Sequence, residues 1–537
     1  SPSQKSYWKF INKIMNKSKV ARIPPLIINN RFVIACKVKA NEFNTFFSDQ
    51  CKPICNNSIL PTLSLLTGNK LESITLSNDA ILEIIRGLNP GKASGPDGIS
   101  AKMLIISDQS VVLPLKIIFT NAIANGLYPD IWKLANVTPI HKKGDKQNIK
   151  NYRPISLLPI CGKMFEKIIF KNLYNFLIAN NLITKKQSGF RPGDSTVNQL
   201  LYFVDEVITS FDCLDSLETR AIFLDISKAF DKVWHDGLIF KLEQNGISGP
   251  LIKLLANYLT TRKQRVVVNG SCSDFLSIES GVPQGSVLGP LLFLVYINDL
   301  ETNIKSKIKF FADDTMLFST VKDPSATASE LNEDLESIRN WAFQWKMLFN
   351  PDPNKQAVEV LFSKKRSQIN HPPVLFNGNQ VNRVNEHKHL GLILDPKLTF
   401  RKHIVSKIKI ARKNLGILKQ LSTYLPLKTL DQLYKMLIRP HLDYCDIIYH
   451  EPSVSNDFDN TIRLTSLMDM VENIQYKAAL IITGTWMGTS RNKLYEELGW
   501  ESLSDRRWSR RLFQFYKIHN NLCPNRQTSK AEKTVIW

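Results

Sequence analysis

Two adjacent aspartates near the middle of the chain are the residues with the clearest chemical potential. Asp313 and Asp314 follow the apolar pair Phe310 and Phe311, and a second apolar run, 316–318, comes directly after. This pattern predicts two short strands that meet at a turn with both carboxylates at its tip. Adjacent carboxylates repel each other, so their placement near a core is costly unless a cation neutralises them. A divalent metal ion would do so, and a solvated acidic turn is the alternative that the two residues alone leave open.

A third aspartate has the same setting elsewhere in the chain. Asp225 directly follows the apolar run 221–224, which predicts a buried strand that ends at the carboxylate. Strands from distant parts of the sequence can converge in one sheet, and three carboxylates can then hold two hard cations. Such a pair activates one oxygen and stabilises the leaving oxygen in phosphoryl transfer. Asp231 and Asp236 are nearby, and we assign them to surface or capping positions.

Other common catalytic and metal-binding patterns are absent from the sequence. It contains no GxxxxGK[ST] phosphate loop, no HExxH and no GxSxG. Its eight cysteines form no pair of CxxC motifs, which argues against a structural zinc site and is typical of reduced thiols in an intracellular protein. His387 and His389 have a spacing that could bind metal only weakly.

The 537 residues are strongly basic, with 70 Lys and Arg against 48 Asp and Glu and a net charge of +22. A content of 43% hydrophobic and 22% charged residues excludes a mostly disordered or collagen-like chain. The longest apolar run that we identify near the middle, 291–297, is far shorter than the roughly 20 residues that span a bilayer. The composition therefore favours a soluble protein that binds nucleic acid, with a solvated basic surface as the alternative.

Apolar spacing predicts the elements that must position these residues. Ser77 should cap a helix that carries Ile81, Ile84, Ile85 and Leu88 at helical spacing. Residues 401–420 combine an apolar stripe at helical spacing with seven Lys or Arg and no Asp or Glu, which predicts an amphipathic helix with a basic exposed side. Further helical patterns cover 111–124, 163–177, 251–259, 470–482 and 506–518, and strand patterns cover 135–140, 221–224 and 265–268.

Seven blocks of the sequence resemble, in family order, the motifs of reverse transcriptases from non-LTR (LINE-type, jockey-like) retrotransposons. The blocks are NYRPISLL at 151–158, QSGFRPG at 187–193, FLDISKAFD at 223–231, GVPQGSVLGP at 281–290, FADD at 311–314, NK at 354–355, and HLGL at 389–392 with LTF at 398–400. The tail also resembles the C-terminal region of jockey-like elements. Two features depart from the family. The residue after the NK block, which resembles motif D, is Gln356, where the family usually has a small polar residue. The tail has no Cys/His zinc knuckle.

The resemblance implies a role for each residue that matches a family motif. Asp225, Asp313 and Asp314 match the catalytic acids that bind metal. Phe230 matches the aromatic gate beneath the sugar, where a ring would clash with a ribose 2′-hydroxyl. Gln284 matches the residue that supports the incoming nucleotide and the template.

The resemblance also implies which basic side chains contact the substrates. Lys142 and Arg153 match fingers residues that meet the triphosphate, with a surface charge as the alternative for each. Lys355 matches the lysine proposed to protonate pyrophosphate. Arg191 could touch the template or brace the fingers. The residues that we expect to contact nucleic acid are Arg191, Gly391, Lys407, Arg412 and Lys413.

The resemblance implies an α+β fold of the right-hand polymerase type. Fingers and palm should occupy residues 71–400, a helical thumb 401–470, and a basic helical C-terminal region 471–537, after a linker-like segment over 1–70. The palm should be a small mixed or antiparallel sheet backed by helices.

The implied activity is RNA-directed DNA synthesis, in which a primer 3′-hydroxyl attacks the α-phosphate of a deoxynucleoside triphosphate. Two Mg²⁺ ions, or Mn²⁺ in their place, are the expected cofactors. The expected partners are an RNA template, a DNA primer and deoxynucleoside triphosphates, without a membrane. The oligomeric state, and the choice between the nucleus and a cytoplasmic ribonucleoprotein, are left open.

Two other functions compete with this one. An inactive element remnant would only bind RNA, but the three retained aspartates argue against it. An intron maturase or telomerase-like polymerase shares the FADD form, but the block at 281–290 and the tail favour the retrotransposon enzyme.

The chain begins without a methionine, and about 70 residues precede the first family block. Those residues contain only two acids, Glu42 and Asp49, and no His, so a hydrolytic metal site there is hard to build. We therefore expect a fragment or processed product that extends a supplied primer and does not nick DNA.

Overall fold

The computed structural model describes residues 23–52, 59–213, 217–365, 369–449, 458–520 and 522–523, with backbone alone for 458–466. Its helices are α1 Cys36–Gln50, α2 Asn78–Arg86, α3 Ala101–Ser107, α4 Val112–Asn125, α5 Ile160–Ala179, α6 Thr196–Asp212, α7 His235–Gln244, α8 Gly249–Leu259, α9 Leu288–Ile297, α10 Pro324–Gln344, α11 Pro353–Gln356, α12 Arg401–Leu421, α13 Leu427–Leu437, α14 Arg439–Asp443, α15 Phe458–Thr483, α16 Arg491–Leu498 and α17 Leu503–His519.

The strands are short and lie in several sheets. They are β1 Leu26–Ile28, β2 Arg31–Val33, β3 Leu134–His141, β4 Tyr152–Leu157, β5 Glu218–Leu224, β6 Arg262–Val268, β7 Ser271–Cys272, β8 Leu276–Ile278, β9 Lys307–Phe311, β10 Asp314–Val321, β11 Ala357–Phe362, β12 Leu375–Phe376, β13 Asn379–Gln380, β14 Asn382–Arg383, β15 His387–His389 and β16 Leu392–Leu394.

The chain folds into two compact units, each made of discontinuous segments. The first contains Ser1–Thr184, Ile226–Leu300 and Asn340–Leu348, and the second contains Lys185–Asp225, Glu301–Arg339 and Phe349–Trp537. These units do not follow the predicted division at residues 70, 400 and 470, and those domain boundaries stay a prediction.

The first unit is built on a sheet in the order β4-β3-β6-β7, with β8 paired to β6. β3 runs antiparallel to β4 and parallel to β6. Burial alternates along β6, because successive side chains of a strand point to opposite faces. Phe43 and Phe47 of α1 pack in one core cluster with Val266 and Val268 of this sheet. The described part of the segment predicted to be linker-like therefore contains a core helix, since its phenylalanines recur at helical spacing.

Helices cover the rest of the first unit. The Ser77 side chain accepts a hydrogen bond from the Ala80 N–H at 3.1 Å, which is the predicted cap of α2. Ile81 and Ile85 of α2 are buried, as their spacing predicts. The predicted helices over 163–177 and 251–259 are also present, as α5 and α8.

One apolar stretch of the first unit is longer than the run at 291–297. Ala101–Asn125 has the length and hydropathy of a membrane-spanning helix by composition alone, and only 22% of its most apolar part is buried. The stretch is divided, because α3 ends before Asp108, whose φ is +36°, and a 3₁₀ turn precedes α4. One such stretch is weak grounds for a membrane segment. The absence of a membrane partner stays a prediction.

The second unit contains the mixed five-stranded sheet that the sequence predicts for the palm, in the order β14-β11-β5-β10-β9. All seven residues of the central strand β5 are buried. β10 and β11 both run antiparallel to β5, and β14 runs parallel to β11. Within the sheet, the fully buried Arg220 donates to Glu359 at 2.6 Å, and Arg383 donates to the other oxygen of that carboxylate at 3.0 Å.

The helices after residue 400 belong to the second unit. Of the predicted stripe on α12, Ile404, Ile408, Ala411 and Leu418 are buried, and Leu415 is half-buried. α17 packs on the segment around α14 through ion pairs, including Arg510 with Asp446 at 2.9 Å. The predicted helical C-terminal region is therefore present in the described residues.

Candidate active site

Two of the predicted catalytic aspartates lie at neighbouring strand ends in the second unit. Asp225 directly follows the central strand β5, and Asp314 begins β10. Leu224 pairs with Thr315 in this antiparallel ladder. Asp225 and Asp314 are the residues next to this pair, so both lie at the same end of the two strands.

The third aspartate occupies a tight turn between β9 and β10. Phe311 pairs with Asp314, which leaves only Ala312 and Asp313 to reverse the chain. Ala312 is buried and has a φ of +56°, a conformation that residues with a Cβ rarely adopt. Asp313 is half-buried, whereas Asp225 and Asp314 are exposed. The predicted hairpin with carboxylates at its tip is present.

Backbone and side-chain bonds hold Asp225 in place. Its N–H donates to the Gln356 carbonyl at 3.0 Å, and its own carbonyl accepts from the Asn350 N–H at 3.0 Å. The Asn350 side-chain amide donates to the Asp225 carboxylate at 2.7 Å. No spacing in the sequence points to Asn350, because it lies 125 residues from its partner.

The first unit holds the residues predicted to meet the nucleotide. The Phe230 ring stacks on Phe293 of α9, with centroids 4.7 Å apart and planes at 19°. The Val282 N–H donates to the Phe230 carbonyl at 2.8 Å. The Gln284 side-chain amide donates to the Asp231 carboxylate at 2.8 Å. The segments with Phe230 and Gln284 are therefore bonded to each other within this unit.

Asp231 corrects one prediction, because it is neither a surface residue nor a capping residue. It is only 7% exposed, and burial raises the pKa of its carboxyl to about 6. The Gln284 amide and the nearby charges of Lys228, Lys232 and Arg153 lower that pKa in part. Burial of this carboxylate is tolerated because a side chain 53 residues away supplies its hydrogen bond.

Residues 140–393, which include all the aspartates and nucleotide-contact candidates above, match the family described as reverse transcriptase (RNA-dependent DNA polymerase). This chain carries a reverse transcriptase domain. The domain implies the right-hand polymerase fold that the sequence predicts, and the observed mixture of helices and sheets agrees with it.

The reverse transcriptase domain is similar to that of several Drosophila elements. The chain is 30% identical to a probable RNA-directed DNA polymerase from transposon X-element of Drosophila melanogaster, over 78% of this chain and 45% of the relative. It is 32% identical to the RNA-directed DNA polymerase from mobile element jockey of the same species, over 70% and 41%. A probable RNA-directed DNA polymerase from transposon BS is 32% identical, over 61% and 36%. The jockey-like resemblance is confirmed, and the chain spans less than half the length of these relatives.

The reverse transcriptase domain has suitable donors for a divalent metal but no closed metal cluster. Within the ranges that the structure describes, no group of three or more His, Cys, Asp or Glu side chains is arranged to hold a metal ion. Carboxylate oxygens are nevertheless the ligands that Mg²⁺ prefers, and Asp225 and Asp314 lie at the same end of β5 and β10, with Asp313 in the adjoining turn. The donor set therefore fits Mg²⁺ in its chemistry and its place on the sheet.

The predicted cations of the reverse transcriptase domain are mostly at the surface. Lys142, just after β3, and Arg153, on β4, are exposed. Lys355 is exposed on α11 and forms an ion pair with Asp352, which also caps that helix. Arg191 is half-buried in the segment that precedes α6. Their contacts with substrate stay a prediction.

Gly391, one of the residues predicted to contact nucleic acid, lies in the turn of the β15–β16 hairpin. Gly391 has a φ of +87°, and a Cβ there would come within 3.1 Å of the Tyr444 hydroxyl, so glycine is needed. That hydroxyl donates to the Leu390 carbonyl. Lys407 is half-buried with its ammonium 5.0 Å from the centre of the Tyr444 ring. Its partial burial distinguishes it from Arg412 and Lys413, which are exposed on α12.

Proposed function

We propose that this chain is an RNA-directed DNA polymerase of a non-LTR retrotransposon, which adds deoxynucleotides to a primer 3′-hydroxyl by a two-metal reaction. The observation that carries the proposal is the antiparallel pairing of β5 and β10, whose last pair is Leu224 with Thr315; Asp225 and Asp314 are the residues next to that pair, and Asp313 lies in the adjoining turn. The jockey-like relatives supply the polymerase class and the RNA template. The activity, template, primer and nucleotides of the whole protein are part of the proposal.

Asp225, Asp313 and Asp314 would hold the metal ions. Two bound Mg²⁺ ions would favour loss of the primer hydroxyl proton and neutralise the charge that develops on the leaving oxygen. A bond forms between the primer 3′-oxygen and the α-phosphorus, and the bond from that phosphorus to the pyrophosphate oxygen breaks. The Asp225 carboxylate is oriented for this role by the Asn350 amide and by two backbone bonds.

Other residues would orient the nucleotide and complete proton transfer. Lys355 carries the ammonium group that would give a proton to the departing pyrophosphate. Phe230 would lie beneath the sugar, and its stacking on Phe293 limits how far the ring can retreat from a 2′-hydroxyl. Gln284 would support the base pair, and Asp231 holds its amide in one orientation.

Primer extension on an RNA template with Mg²⁺ and deoxynucleoside triphosphates tests the proposal. Asp225→Asn and Asp313→Asn should each lower extension by orders of magnitude and leave template–primer binding intact, because both substitutions keep side-chain size and remove a metal-binding charge. Asp236→Asn is the matched control, since Asp236 is exposed and accepts a hydrogen bond from Trp234. Near-wild-type extension by either of the first two variants would contradict the metal assignment. Tight RNA binding without extension by the unaltered chain would support an inactive, RNA-binding remnant instead.

A further inference from the structure

A short segment lies against the turn that carries the catalytic acids. The Phe310 N–H donates to the Lys186 carbonyl at 3.0 Å, and the Ser188 N–H donates to the Phe310 carbonyl at 2.9 Å. These bonds form an isolated parallel bridge between Gln187 and Phe310. Because β9 is the last strand of its sheet, the segment adds backbone bonds to an otherwise open edge.

The Gln187 side chain binds the turn itself. It is only 3% exposed, and its Oε1 accepts hydrogen bonds from the Ala312 N–H at 2.9 Å and from the Gly189 N–H at 2.7 Å. Its amide nitrogen makes a longer contact of 3.5 Å with the Ala312 carbonyl. One side chain therefore binds both the N–H and the carbonyl of Ala312, and a buried backbone N–H gains the acceptor that it needs.

This contact depends on a glycine in the same segment. A Cβ at Gly189 would lie 2.2 Å from the Ala312 nitrogen and 2.8 Å from the Phe311 carbonyl carbon. Both atoms belong to the backbone of the turn, so they cannot move aside as a flexible side chain could. Gly189 is therefore required by the close approach of two backbones.

Ala312 explains why the turn needs external support. A positive φ at the first residue of a two-residue hairpin turn is typical of type II′, where glycine is the usual choice. Alanine is sterically disfavoured in that conformation because its Cβ crowds the following carbonyl. The bonds from Gln187 favour this conformation over others that would point Asp313 and Asp314 elsewhere.

We infer that Gln187 is a positioning residue for the reaction, which fixes the direction of the catalytic carboxylates by holding Ala312 in its left-handed conformation. The expected effects on kcat and on the Mg²⁺ requirement rest on the proposed polymerase function. The expectation that Gln187 stabilises the turn does not depend on activity. The role assigns a function to the block at 187–193 beyond the template contact expected of Arg191.

The first test replaces Gln187 by methionine, which has a similar volume and no acceptor oxygen. Gln187→Met should lower kcat for primer extension roughly 10- to 100-fold, since displacements of about 1 Å have effects of that size. It should also raise the Mg²⁺ concentration needed for half-maximal rate and leave the Kd for template–primer unchanged. Hydrogen–deuterium exchange of the peptide that spans β9 and β10 should become faster.

A second substitution separates positioning from simple packing. Ala312→Gly removes the steric cost of the positive φ, so the double variant Gln187→Met with Ala312→Gly should recover a substantial part of the lost kcat. Equal losses in the single and double variants would overturn the inference, because Gln187 would then act by something other than the turn conformation. Wild-type kcat and wild-type exchange in Gln187→Met would overturn it as well.

Two further measurements keep the test decisive. If Gln187→Met does not fold, Gly189→Ala probes the same contact from the other side and should show the same rise in Mg²⁺ requirement and in exchange; wild-type values there would overturn the inference. If the unaltered chain does not extend a primer, the proposed function fails, and the exchange of the β9–β10 peptide still decides whether Gln187 supports the turn.

Discussion

Acid should weaken the β15–β16 hairpin through His389. This residue is 4% exposed, and its ring lies 5.0 Å from Phe223 of β5, centroid to centroid. In the described part of the chain its Nε2 has no hydrogen-bond partner. Burial, with a smaller effect from His387, lowers the pKa of His389 to about 3. We predict that the hairpin opens more readily as the pH falls from about 7.5 to about 5.0, on either side of the ordinary histidine pKa.

The sign and size of the effect follow from the two pKa values. The unfolded histidine takes up a proton near its ordinary pKa of about 6.5, whereas the folded one resists protonation down to about 3. The folded state is therefore at its full stability above a pH of about 6.5 and loses stability as the pH falls towards the folded pKa. At a pH of about 5.0 the unfolded form is almost fully protonated and the folded form is not, so the loss is about 2 kcal/mol, or roughly 30-fold in the opening equilibrium.

Local hydrogen exchange is the suitable assay, because a chain with two compact units has no single free energy of unfolding. The protection of peptides that cover β15 and β16 is measured at both pH values and corrected for the intrinsic rate. The same measurement on His389→Phe, which keeps a ring against Phe223 and removes the titration, gives the reference. Between these pH values, wild-type protection should fall about 30-fold more than that of the variant.

Other histidines do not disturb this comparison. Burial also lowers the pKa of His387 and of His403 to about 4, so both act in the same sense. They are present in both proteins and cancel in the difference, apart from the small His387 effect on His389. Replacing the exposed His519 by Asn is the control and should leave the pH dependence unchanged. Equal pH dependence in wild type and His389→Phe would refute the reasoning, because the buried ring would then not be the group that resists the proton.

Three further variants test separate parts of the molecule. Phe230→Ala should admit ribonucleotides and keep much of the deoxynucleotide incorporation, as the ratio of the two kcat/KM values would report; an unchanged ratio argues against the gate. Reversing Arg412 and Lys413 to Glu should weaken template–primer binding and flatten the plot of log K against log salt by about 0.9 for each phosphate that is no longer neutralised; an unaltered slope would mean that this face is only solvated. Glu359→Ala should leave the buried Arg220 without its carboxylate and cost about 3–5 kcal/mol of local stability, visible as faster hydrogen exchange of the peptides that cover β5 and β11, and wild-type exchange there would disagree with that cost.

The hairpin that carries Asp313 and Asp314 and the basic helix could be predicted because their signals are local. Two short apolar runs, at 310–311 and 316–318, lie on either side of the adjacent aspartates and predict β9, β10 and the turn between them. A stripe from Ile404 to Leu418 at helical spacing specifies α12 and its buried face. In both cases the hydrophobic period of the segment agrees with its final environment.

The features that residue spacing does not predict depend on partners far away in the chain. The buried Asp231 accepts a side-chain hydrogen bond from Gln284, 53 residues away, and the buried Gln187 accepts one from the Ala312 N–H, 125 residues away. Neither pairing produces a pattern of residue spacing that could be recognised in the sequence. Spacing predicts α4, from the helical pattern over 111–124, but not the positive φ of Asp108 that follows α3. These features therefore become visible only once the chain is folded.

The position of β5 at the centre of its sheet has a consequence for how the chain is made. Its two neighbours, β10 and β11, lie downstream, and β11 ends about 140 residues after β5 begins. At about 5–20 residues per second, a ribosome needs between roughly 7 and 30 s to supply them. Until β10 is made, the apolar strand that precedes Asp225 has neither hydrogen-bonded neighbour, and until β11 is made it has at most one. Translation speed and chaperone capture over this window, more than the stability of the finished sheet, should set the yield of protein with an assembled catalytic edge.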